Sequence, residues 1–137
     1  MSAISLTAAN MRPLTGAVIR RYVADEALTV GQVVYVNTDG EVGIADGNVS
    51  AAKARAIGIV VESYDGETSI AAGDPASVVV LGPVSGFSGA TPGSYGYVSD
   101  TAGSLDTAAG TYSFIVGYLE AAGVLFVNPG VDDPTSA

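Results

Sequence analysis

The sequence predicts an all-β fold, a single compact β-barrel or β-sandwich, and three observations predict it. Turn signals built from Gly, Pro, Asp and Ser recur at intervals of roughly 8–12 residues, the spacing of sandwiches and barrels. The segments between them are short and rich in Val, Ile and Tyr, the residues that fit a pleated, half-buried surface. No long segment carries the 3.6-residue apolar period of a helix, and 18 of the 137 residues are glycine. About nine or ten short strands are expected.

The elements follow in order. Residues 1–15 hold neither period and are interrupted by Pro13. They read as an extended N-terminal arm that orders only by lying on something. Residues 16–130 form the β domain. "GAVIRRYVA" (16–24) reads as a strand, and "DEALTVGQ" turns the chain. "QVVYVNT" (32–38) is a strand, closed by a tight turn in which Asp39-Gly40 supplies positive φ, and "EVGIA" returns. "DGNVSAAKARA" (46–56) is either a loop or one helical turn capped by Ser50. "AIGIVVESY" (56–64) is a strand, and Asp65-Gly66 signals a second hairpin, from which "ETSIAA" runs back. Pro75 pre-sets the turn before "SVVVLGP" (77–83), the most apolar strand. "VSGFSGATPGS" reads as a loop. "YGYVSD", "AGSLDTA", "YSFIVGYLE" and "GVLFVNPG" supply the last strands, and residues 131–137 read as a flexible tail.

The β domain repeats itself. "GQVVYVNTDGEVGIADG" (31–47) is matched by "GSYGYVSDTAGSLDTAAG" (93–110): Gly31 falls on Gly93, Tyr35 on Tyr97 and, after one extra residue, Gly40 on Gly103. Further on, Gly58 falls on Gly117 and Pro83 on Pro129. Two related halves, about 31–83 and 93–129, are therefore expected, the second lacking the "ESYDGETSIAAGD" excursion of the first. Neither half alone is large enough to bury its apolar face, and together they are.

Composition excludes much chemistry. There is no Cys and no His, which removes disulfides, Cys- or His-held zinc, thiol nucleophiles and the commonest general base near neutral pH. The start "MSAISLTAANMRP" has no basic region ahead of an apolar run, so no secretory signal is expected, and no apolar stretch is long enough to span a membrane. The net charge of −9 is unevenly distributed: residues 1–24 carry Arg12, Arg20 and Arg21 and no acid, while the remainder carries Lys53 and Arg55 against all 14 acids. An acidic body repels phosphate backbones, so no nucleic-acid partner is expected. The basic leading segment suits docking on an acidic partner, or its arginines simply solubilise a strand.

The acids Asp39, Asp46, Asp65, Asp74, Asp100 and Asp106 sit at turn positions, where Asp caps its own backbone, and nothing singles out a catalytic pair. Ser85 in "GPVSGFSG" has neither an activating base nor a following helix. No enzyme activity, cofactor or metal site is expected. The tyrosines at 22, 35, 64, 95, 97, 112 and 118 form either a sugar-stacking platform or ordinary strand residues with wet hydroxyls.

The run "GQVVYVNTDGEVGIAD…ARAIGIVV" followed by "AGDPASVVVLGPVSGFSGATPGSYGYVSDTAGSLDTAAGTYSFIVGYLEAAGVLFVNP" resembles the decoration, or cement, proteins of tailed-bacteriophage heads across residues 16–130. The "G-x-x-x-Y-V-S-D-x-A-G" phrase (93–103) and the closing "LFVNP" also occur in phage fibre tips. The landmarks are glycine turns and apolar strands, so no catalytic residue is carried over. The resemblance implies a β-rich homotrimer on the outer capsid surface of the virion, made in the host cytoplasm. It would bridge major capsid proteins at local three-fold axes, with an arm reaching onto the shell. On that basis Leu6, Met11, Arg12, Pro13, Arg20 and Arg21 are the capsid-contact candidates, with Arg12 the charge anchor of the arm. Arg20 and Arg21 serve the same surface, a subunit contact or ordinary strand-edge charge. A head-fibre or tail-tip module binding host-surface glycans is the alternative; a sugar-processing accessory domain and a tail-tube subunit are more distant ones.

Overall fold

A computed structural model of the chain describes residues 3–7, 11–61, 68–89 and 91–129. The hairpin signal at 65–66 and the tail at 131–137 lie outside the described residues. The fold is all-β. In chain order the strands are β1 (Ala3–Leu6), β2 (Arg12–Pro13), β3 (Val18–Val23), β4 (Leu28–Thr29), β5 (Val33–Val36), β6 (Val42–Ile44) and β7 (Ala56–Val61). Then come β8 (Ser69–Ile70), β9 (Pro75–Ser85), β10 (Phe87–Ser88), β11 (Tyr95–Val98), β12 (Leu105–Asp106), β13 (Ile115–Ala121) and β14 (Val124–Val127). One helical turn, α1 (Ala51–Ala54), stands where the sequence left a choice, with the Ser50 hydroxyl accepting a hydrogen bond from Lys53 N.

All strands but β4 and β8, which pair with each other, belong to one antiparallel sheet, and that sheet curls. The pairings close two rings that share β9. In the first, β9 pairs with β7, β7 with β5 and β5 with β6; the circuit returns through the bridge of Val42 to Ala24, directly after β3, which pairs back onto β9. In the second, the C-terminal part of β9 pairs with β14, then β13, β11, β12 and β1 follow. The circuit closes because β1 pairs with β10, which continues β9 past a bend at Gly86, φ +111°.

The repeated phrases occupy matching places in the two rings. Across β5 and β7, Val34 faces Gly58 and Tyr35 faces Ala56 over a bulge. Across β11 and β13, Gly96 faces Gly117 and Tyr97 faces Ile115 over the same bulge. Both Gly58 and Gly117 lie where a Cβ would collide with a backbone carbonyl, of Val79 and of Phe126 respectively, which explains the shared glycine. The proline match needs correction by one residue: Ile59 pairs with Val79 and its counterpart Tyr118 pairs with Phe126, which sets Gly82, not Pro83, at the place of Pro129. Pro83 does not end its strand either. It sits inside β9, which runs on to Ser85 because both rings need it.

The described residues of the expected arm are extended, and what they lie on is the protein's own sheet. Ile4 of β1 is buried between β10 and β12, and Met11 is 0% exposed in the common core. The segment has its own fold to lie on, which no local period could announce. The region 84–94, expected as a loop, contains the end of β9 and all of β10, whose Phe87 is buried. One buried cluster spans both rings, drawing on Val34, Val60 and Val78 in the first and Val98, Leu119 and Leu125 in the second.

Candidate functional site

The six candidate residues separate into two groups. Met11 belongs to the interior, and Leu6 is half-buried against the core. Leu6 pairs with Phe87, and its side chain lies over Gly31, where a Cβ would meet Leu6 Cδ1 at 2.7 Å. Met11 has no exposed surface. Met11 therefore offers no surface to a partner, and removing it opens a cavity in the core, while Leu6 keeps part of its side chain at the surface. Arg12, Pro13, Arg20 and Arg21, by contrast, lie on one ribbon. Arg12 pairs with Ser85 and Pro13 with Val84, and β3 then runs antiparallel to the rest of β9, from Val18 opposite Leu81 to Val23 opposite Pro75.

The ribbon owes its course to two glycines. Between β2 and β3 the chain makes a turn, Ala17 N donating to Leu14 O at 3.0 Å, with Gly16 at φ +93°. The turn presses against β9 at Gly82, φ +112°, where a Cβ would stand 2.7 Å from Ala17 Cα. Only glycine fits both the dihedral and the space.

β3 is unusual for a strand of this composition. Tyr22 is half-buried and the other five residues are exposed. Val18 and Ile19 are 44% and 45% exposed, and Leu81, across from Val18, is 43% exposed. Among the described residues no strand pairs with the other edge of β3 between Val18 and Val23. The edge is covered only beyond that, where Asp25 N donates to Val42 O at 2.8 Å. Apolar side chains, an open edge and arginines therefore coincide in the one basic segment of an acidic chain. Arg20 and Tyr22 also line a cleft of about 340 Å³ between the rings, with Ile57, Val80, Phe114 and Pro129.

A second surface lies on the outer face of the second ring. Tyr95, Tyr118, Phe126 and Pro83 are consecutive in register across β11, β13, β14 and β9. Tyr118 stacks on Phe126 with centroids 5.5 Å apart at 28°, and Tyr95 meets Tyr97 edge-on at 6.2 Å. Tyr95 is 52% and Tyr118 39% exposed. The equivalent row of the first ring, Val33, Ile59 and Val79, is fully buried. The first half has the excursion that the second lacks, and from it Ile70 joins the core along with Leu28 of the strand it pairs with.

Asp46 and Asp106 act as turn formers, Asp100 instead ties down Thr111, and Asp65 lies outside the described residues. Asp46 Oδ1 accepts Asn48 N, Asp106 Oδ1 accepts Ala108 N, and Asp100 receives both Thr111 N (2.7 Å) and Thr111 Oγ1 (3.1 Å). Among the described residues no three acidic side chains converge as metal ligands. Ser85, in β9, places its hydroxyl 3.4 Å from Arg12 O. The apolar members of the ribbon, Val18, Ile19 and Leu81, were not singled out by sequence reasoning. A run such as "SVVVLGP" signals burial, and only the pairing shows that Leu81 faces outward. No family model and no curated protein matches the chain.

Proposed function

We propose that the protein is a non-enzymatic structural component of a tailed-phage virion that binds the outer surface of the capsid, bridges major capsid proteins and stabilises the expanded head. The observation that carries this reading is the ribbon β2–β3: an open strand edge with exposed Val18, Ile19, Leu81, Arg12 and Arg20 on an otherwise acidic body. Exposed edges are normally blunted or covered, so a long one with apolar side chains marks a place of assembly. The mechanism is mechanical. A protein that binds only the expanded shell stabilises it by mass action. A homotrimer engages several sites at once, so modest affinity per ribbon is enough. The expected test is calorimetry of empty expanded shells. Saturating protein raises the temperature of shell disruption by several degrees; an unchanged transition rejects the reading.

The row Tyr95–Tyr118–Phe126 favours a second reading, a fibre or tail-tip module binding host-surface glycans. Flat, exposed aromatic faces in a row suit the apolar faces of sugar rings. The chain contains no Trp, so its emission comes from seven tyrosines, three of them on this surface, and Tyr118→Ala assigns a change to it. Saturable quenching by cell-surface glycans, lost in Tyr118→Ala, supports it, and a flat titration removes it.

A further inference from the structure

The open edge of β3 has a chemistry that narrows its occupant. Resting on the capsid reading above, we propose that it accepts an extended partner strand rich in acidic and apolar residues, added antiparallel to β3 as a further strand of the sheet. The backbone alternation sets the donors. Ala24 N bonds Asp74 O on the β9 side, and Asp25 N bonds Val42 O on the opposite side. Counting back, Ile19, Arg21 and Val23 turn their N–H and C=O groups toward the open edge, while Arg20 and Tyr22 turn theirs to β9. Side chains alternate in step. Ile19, Arg21 and Val23 stand on one face, all exposed, and Arg20 and Tyr22 stand on the other, lining the inter-ring cleft. A partner strand that brings carboxylates to the arginine on each face, with valine-like residues set against Ile19 and Val23, is complementary to both. Main-chain bonds supply affinity, and the side chains supply selection.

Charge also excludes the simplest alternative, a second copy of this chain. The two-fold register that engages Ile19, Arg21 and Val23 in both copies sets Arg21 opposite its own counterpart. The next register sets Arg20 opposite its own. Like charges directly across a strand pair are destabilising. The register beyond Val23 is closed by the bond of Asp25 to Val42. The edge thus selects against itself and for an acidic strand.

The test uses the whole protein and two labelled eight-residue peptides of alternating valine with glutamate or with lysine. The glutamate peptide is expected to bind saturably, to slow exchange of the Ile19 and Val23 amides, and to weaken as salt rises. Arg20→Glu, a change at an exposed position, should weaken it by about tenfold and favour the lysine peptide instead. Equal binding of the two peptides, or no slowing at Ile19 and Val23, overturns strand addition. If wild type still sediments with shells in that case, the capsid reading survives without it. Slowing by the glutamate peptide in a protein that ignores shells leaves the strand acceptor standing and removes the capsid reading.

Discussion

Replacing Gly58 or Gly117 by alanine tests the internal repeat at the level of atoms. Neither glycine has a positive φ, so alanine meets no dihedral strain at either place. The cost is contact alone. A Cβ at 58 would overlap the Val79 carbonyl oxygen and stand 2.9 Å from its carbon; at 117 it would overlap the Phe126 carbonyl oxygen, again 2.9 Å from the carbon. In both cases the obstacle is the backbone of the neighbouring strand, which yields only by opening the sheet. Overpacking ordinarily costs 1–3 kcal/mol, and an unyielding carbonyl points to the upper end, about 3 kcal/mol for each substitution. At an unfolding entropy of about 2.1 cal/mol/K per residue, that lowers Tm by about 10 °C in a chain of 137 residues. Gly40→Ala is the control: it has φ +81° and nothing within 4 Å of a Cβ, so only the left-handed conformation is charged, at about 1–2 kcal/mol. Thermal unfolding followed by circular dichroism reads all three. A shift under about 2 °C for either central glycine, or one of them behaving like Gly40→Ala, refutes the shared packing rule.

Two further outcomes follow from the core and the turns. Met11→Ala should cost about 2–5 kcal/mol in urea unfolding, against less than about 0.5 kcal/mol for exposed Thr15→Ala; equal values would contradict the placement of Met11 in the core. Asp100→Ala should cost about 1–2 kcal/mol through its lost bonds to Thr111, whereas Asp39→Ala, exposed in its turn, should be nearly silent.

Much of the fold was legible because its signals are local. Period-two runs and Gly-Asp turns mark strands wherever they occur, and Ser50 announces its helical turn through its own side chain. The repeat was legible for the same reason: a bulge next to a glycine must be written at the same place each time. What stayed hidden depends on distant partners. β1 is held by residues 87–88 and 105–106, and Met11 by a core assembled from both halves, so residues 1–15 carry no pattern that distinguishes an arm from a buried strand. β9 serves two rings and outlasts Pro83, a residue that in isolation signals an end. Of the candidate site, the arginines were legible from charge asymmetry. The exposure of Val18, Ile19 and Leu81 was not, because an apolar strand at an open edge reads like one in the interior.

The central claim is that this surface docks on a phage shell, and quantitative co-sedimentation with empty expanded shells tests it most directly. The account predicts saturable retention of wild-type protein at low salt, release as salt rises, and weakened retention of Arg20→Glu. Protein that stays in the supernatant at every concentration and salt would contradict it.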